Sequence, residues 1–188
     1  MKRLALPVLT LGFAIAALAG CGSASSTSPG GSASPADTAA SDEGLLSRAE
    51  FIAKADAVCE ASRTKQEPLR TRLEQLARKA RGEEHAAGTV SDGTRKELAQ
   101  TLDQVVANAE ADLARLQALG PPKADAGRVQ PIFQQIEAAF TASRAYAAAL
   151  EAHEDARAQA VAEKGNAETR ETADLAQRYG FKVCGSRP

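Results

Sequence analysis

Apolar residues in this chain form one unbroken run near the start and, much later, stripes at helical spacing. The run from Leu4 to Ala19 follows Lys2-Arg3 directly and ends in Leu18-Ala19-Gly20-Cys21. Residues 22–44 contain no large apolar side chain and are built of Ser, Gly, Ala, Pro and Thr with a few acids. Such a segment cannot bury enough surface to fold and reads as a linker. As a coil its 23 residues span roughly 25 Å, from about 5 to 6 Å times the square root of the length.

From Ser47 the pattern changes to period 3.6. Ser47 with Glu50 has the spacing of a capping box, and Leu46 with Phe51 that of a hydrophobic staple. Ile52, Ala55, Cys59, Ser62, Gln66, Leu69, Leu73, Leu76 and Ala80 then recur three or four apart, predicting a first helix that reaches about Gly82. Pro68 falls in its interior, where it removes a hydrogen bond and crowds the preceding turn. A kink over Arg63 to Glu67 is the expectation. A loop over 82–93 leads to a second helix opened by Thr94 and Glu97, with Leu98, Leu102, Val105, Ala109, Leu113 and Leu116 on one side, stopped by Gly120-Pro121-Pro122. A third begins after Asp125 and presents Val129, Phe133, Ile136, Phe140, Ala147 and Leu150. Its end is ambiguous between His153-Glu154-Asp155 and Gly165-Asn166, and Gly165 is the favoured stop. The last helix closes at Tyr179, with Gly180 set for a left-handed residue and Phe181 for folding back, as in a Schellman motif. No segment has period 2. The pattern predicts an all-α, up-down bundle of about four helices over 45–188, with the first and last as antiparallel neighbours.

The amino-terminal features set an address. A basic start, an apolar core and small residues before a cysteine make a secretory signal, and Cys21 supplies the thiol that takes a diacylglyceryl group in a lipoprotein. Residues 1–20 are then the signal, 21–44 the lipidated cysteine and linker. An ordinary cleaved signal or a spanning anchor is the plain alternative, but the apolar run falls short of the roughly 20 residues a spanning helix needs. Two acyl chains hold a protein at a bilayer firmly where one does not. The expected location is the extracytoplasmic face of a cell membrane.

Three cysteines occur in the whole chain. With Cys21 acylated, Cys59 and Cys184 allow one intramolecular pairing, and an exported domain favours the disulfide. The bridge matters because the core is thin: Trp is absent, and only five Phe and two Tyr occur, so alanine fills much of the interior while burying little area per residue.

Ala55-Asp56-Ala57-Val58-Cys59, with Tyr179-Gly180-Phe181-Lys182-Val183-Cys184-Gly185, resembles the paired signature of a family of small actinobacterial lipoproteins and exported proteins. The resemblance implies fold and location. It offers no catalytic residues to carry over.

Tests for chemistry are negative. Neither histidine has the Glu-x-x-His spacing of a di-metal bundle: His85 follows Glu83-Glu84, and His153 precedes Glu154-Asp155. No Cys-x-x-Cys-His, Gly-x-Ser-x-Gly or phosphate-cradling glycine loop occurs. No metal, cofactor or catalytic residue is therefore assigned. The formal charge of −1 falls to −3 when Lys2 and Arg3 leave with the signal, which gives no reason to expect a nucleic acid partner. One local asymmetry stands out between Arg63 and Arg81, where seven basic residues face two glutamates. Arg70, Arg72, Arg78, Lys79 and Arg81 form a candidate contact surface for an envelope protein or an anionic wall polymer, the plain reading being a solvated face paired with Glu97, Asp103 and Glu110. The reading is a binding or structural module of the envelope. Its alternative is a small-molecule carrier or sensor with a cleft lined by Phe133, Ile136 and Phe140.

Overall fold

The computed structural model of the chain describes residues 46–186. The signal, Cys21 and the whole linker lie outside the described residues. Four α-helices follow in order: α1 Arg48–Ala87, α2 Asp92–Ala118, α3 Ala126–Glu151 and α4 Asp155–Tyr179, with a 3-10 turn at Lys123–Asp125 before α3. Helix packs on sequential neighbour, α1 on α2, α2 on α3 and α3 on α4. The all-α, up-down bundle is the architecture.

α1 opens as its sequence dictates. The Ser47 hydroxyl accepts from the Glu50 amide at 3.3 Å and the Glu50 carboxylate accepts from the Ser47 amide at 2.9 Å, so both arms of the capping box form. The helix runs unbroken through Pro68. Pro68 and Thr64, whose carbonyl would have received the missing amide, are both exposed, so water replaces that bond. α1 also passes Gly82 and stops five residues later, at a left-handed Gly88 whose amide bonds Glu84 at 2.8 Å. Gly82 sits on an open helix surface, with nothing within 4 Å of where a Cβ would lie, and a lone glycine there costs only about 1 kcal/mol. The extra turn is held because Glu83 caps the next helix. Its carboxylate accepts from the Ser91 amide at 2.9 Å and from the buried Thr94 hydroxyl at 2.8 Å. Ser91, not Thr94, is therefore the N-cap of α2. These bonds hold the Glu83 carboxyl below the ordinary carboxylate value, the Ser91 amide contributing most.

The third helix ends at Glu151 rather than Gly165. Three residues carry the break: the His153 amide bonds Leu150 at 3.3 Å, the Glu154 amide bonds Ala149 at 2.9 Å, and His153 takes φ 57°. This is a Schellman motif with histidine in the position glycine usually fills. Contacts with α2 fix the turn: His153 Nε2 lies 3.4 Å from Asp92, and the buried Arg95 guanidinium clasps Asp155 at 2.5 and 3.1 Å. Gly165 is left inside α4, where its Cβ position faces Ala142 at 3.9 Å and permits close approach to α3. The other terminus matches its sequence. Gly180 has φ 116°, its amide bonds Gln177 at 3.0 Å, and the Phe181 amide bonds Ala176 at 3.1 Å.

Two apolar clusters fill the bundle. The one nearer the α1–α2 and α3–α4 turns is aliphatic, built on Leu73, Leu76, Leu98, Leu102, Val105 and Leu150. The one at the opposite pole, the base, gathers the aromatic residues with Val129, Ile132 and Leu113. Phe51, Tyr179 and Phe181 meet there, ring centroids 5.0 to 6.2 Å apart. α1 and α4 are not packed along their lengths. The expected helix-to-helix contact is replaced at the base by the segment after α4, which turns back and lies between them.

Candidate functional site

The most heavily organised part of the molecule is that returning tail, residues 180–186. Asp56 lies one turn before Cys59 on α1 and so faces the same side. Its Oδ1 accepts from the Val183 and Cys184 amides at 2.9 and 3.0 Å, and its Oδ2 from the Lys182 amide at 2.9 Å. Cys184 is joined to Cys59, with Cα atoms 5.3 Å apart across a sequence separation of 125. The predicted bridge is present. Arg63, counted in the basic stretch, turns inward instead: it donates to the Val183 carbonyl at 2.7 Å and to the Ser186 hydroxyl. On the opposite side the Gln177 side chain donates to the Gly185 carbonyl at 2.7 Å. A Cβ on Gly185 would stand 2.8 Å from the Gln177 amide nitrogen, so only glycine passes there without displacement.

Below the tail a second network ties three helix ends together. The Tyr179 hydroxyl donates to buried Asp125 at 3.2 Å, and Asp125 also lies 3.9 Å from Arg48 and 4.0 Å from Arg128. Arg48 donates to the Tyr179 carbonyl and covers its ring at 4.8 Å. Burial first, and then the Asp125 charge, pushes the Tyr179 hydroxyl up to about 12. Both networks are closures. They hold chain segments together.

The basic residues singled out on α1 share one helix, yet most of them are paired. Arg70 lies between Glu67 at 2.5 Å and Glu74 at 3.2 Å, which raises its pKa. Arg72 reaches Glu97 of α2, as the plain reading anticipated. Arg78 is 4.0 Å from Glu74 and Lys79 is 3.9 Å from Glu83. Among the described residues, Arg81 alone of the five has no ion pair. Glu110 serves α3 rather than α1, bonding Arg144 at 2.7 Å.

Phe133 and Phe140 are buried in the basal core and Ile136 packs against it, so they line no cleft. A cleft lies between α3 and α4, bordered by Ala139, Ala142, Tyr146, Val161, Gly165 and Thr169, with a volume of about 50 Å³. Ligand pockets typically have about 300 to 1,000 Å³. His85 is exposed at the end of α1, and among the described residues no group of three His, Cys, Asp or Glu converges as metal ligands would.

Sequence reading missed Asp56, Arg48 and Asp125 as organising residues. Asp56 carried a usable signal, its position three residues before Cys59. Asp125 did not, because Arg48 and Tyr179, which join it to the rest of the base, come from α1 and α4. Comparison with protein-family models, curated proteins and solved structures finds no match to this chain.

Proposed function

We propose that the chain is a membrane-anchored, extracytoplasmic lipoprotein whose helical bundle acts as a binding or structural module of the cell envelope. The observation that carries this reading is the Cys59–Cys184 bridge. A disulfide closing most of a domain suits an oxidising compartment, which is where Leu18-Ala19-Gly20-Cys21 would deliver the protein. Two further facts support it. Among the described residues no helix is long and apolar enough to cross a membrane, which is compatible with a lipid anchor. Among the described residues many of the titratable groups that pair do so on surfaces and at helix ends, as they would in a module that acts through its surface.

The carrier alternative asks for a cavity, and about 50 Å³ is too small for one. The test is fractionation of cells making the intact chain. Wild-type protein is expected in the membrane fraction, resistant to salt washing and labelled by radioactive palmitate, whereas Cys21→Ser, which is neither acylated nor cleaved, is expected to take up no label. Wild-type protein without label, or Cys21→Ser labelled as strongly as wild type, would overturn the proposal.

A further inference from the structure

The base of the bundle carries more basic groups than the sequence stripe or the two closures account for, although Arg48 and Arg128 belong to the second closure. Arg48 and Lys54 lie in the first two turns of α1, Arg115 near the end of α2, and Lys123 in the following connector. Arg128 opens α3, Arg178 closes α4, and Lys182 belongs to the tail. All of these basic side chains are exposed. Among the described residues of the same turns, Glu50 is the one exposed carboxylate; Asp112 and Asp125 are buried and Asp174 half-buried. Asp56, a little higher, is half-buried beneath the tail amides. Basic groups still outnumber acidic ones when every one of these carboxylates is counted. The opposite pole is mixed, with exposed Asp92, Glu151 and Glu154 beside Arg81, Lys96 and Arg157.

The base is also the pole where the described chain begins, at Leu46. The linker therefore leaves the body from its most basic end. We infer that this basic base is a docking surface for anionic phospholipid headgroups, which seats the bundle end-on against the bilayer and turns the α1–α2 and α3–α4 turns outward. The inference rests on the proposed lipid anchor for its orientation, because a linker of 23 residues, roughly 25 Å for a coil of that length, would keep the base near the surface. Tethering of that length supplies an effective concentration on the order of millimolar, so weak attraction suffices. Exposed lysines and arginines held this close to an anionic leaflet are each attracted appreciably, and the attraction decays within a Debye length. Arg48 and Arg128 keep Asp125 beside them and Arg115 keeps Asp112, as the α1 arginines keep their own carboxylates, so the attraction rests on the net excess of basic groups at the base and on its place next to the linker.

The test uses the chain from residue 21 with Cys21→Ser, which has no acyl group; both apolar clusters and the bridge lie within residues 46–186, so its fold is intact. It is sedimented with vesicles of phosphatidylcholine alone or mixed with phosphatidylglycerol. Binding is expected to the anionic vesicles at about 50 mM salt and to be lost near about 500 mM. The triple change Lys54→Gln, Arg178→Gln, Lys182→Gln is expected to weaken partitioning by about fivefold per residue, about a hundredfold together. The matched change Arg70→Gln, Arg72→Gln, Arg78→Gln should stay within about twofold of the unaltered chain. Circular dichroism of both variants reports that each is folded. Equal binding to neutral vesicles, equal losses from the two triple changes, or retention on an anionic glycopolymer with none on vesicles would each overturn the inference. Because the probe carries no lipid, a missing acyl chain at Cys21 in cells would remove the anchor without altering this result.

Discussion

Replacing Asp56 with alanine removes the acceptor for three consecutive backbone amides, and the structure sets the size of the loss. The Lys182 amide is exposed and rehydrates at little cost, whereas the Val183 and Cys184 amides are half-buried against α1. A hydrogen bond to a charged acceptor contributes about 1.5 to 3 kcal/mol. Two such bonds, discounted for water that enters once the tail loosens, give a loss of about 3 kcal/mol. For a body of this size that corresponds to roughly 10 °C in Tm. Asp56→Asn keeps one oxygen acceptor and is expected to lose about half as much. Urea unfolding under oxidising conditions measures both. A cycle with Cys59→Ala and Cys184→Ala adds a sharper condition. The chain-entropy model assigns the bridge at most about 5 kcal/mol, and the bridge and Asp56 hold the same short segment. Their effects should therefore fall short of additive by about 1 kcal/mol or more. A loss below about 0.5 kcal/mol for Asp56→Ala, or strict additivity with the bridge, would refute the view that this carboxylate organises the tail.

Two other perturbations follow from the same pole. The Tyr179 pKa lies near 12 in the folded protein against 10.0 ordinarily, so its contribution is complete below pH 10 and disappears as pH rises through about 12. Stability measured by urea unfolding should decline over that window by at most about 3 kcal/mol, and Tyr179→Phe should lack that decline while losing about 1 to 2 kcal/mol at neutral pH; an unchanged alkaline slope in the variant would contradict the assignment. Gly185→Ala and Gly165→Ala should part company in thermal melts. The first forces a Cβ to within 2.8 Å of backbone nitrogen and is expected to destabilise by about 1 to 3 kcal/mol, while the second, with its nearest neighbour at 3.9 Å, should be neutral or stabilising.

Local signals in the sequence were reliable where one short segment decides the outcome. The Ser47 box and the Gly180 terminus are of this kind; the pairing of Cys59 with Cys184, 125 residues apart, was legible only because Cys21 was assigned to lipid and left two cysteines. The errors share one cause: a partner distant in sequence. Gly82 reads as a stop, yet Glu83 keeps α1 going because Ser91 and Thr94 are there to be capped. Gly165 reads as a stop too, yet the turn forms at His153, where Asp92 and Arg95 of α2 hold the neighbouring residues. The basic stripe on α1 was visible, but Glu97 and Glu83 reduce its free charge. The basic base was not visible, since its residues come from every helix and meet only when the bundle closes. Asp56 was written in the sequence beside Cys59, and its task became evident only when the tail amides stood opposite it.

The central claim concerns attachment, and the mass of the amino-terminal peptide from membrane-extracted protein tests it most directly. The account predicts a peptide that begins at Cys21 and carries a diacylglyceryl thioether on that residue. A first residue other than Cys21, or an unmodified Cys21 thiol, would contradict it.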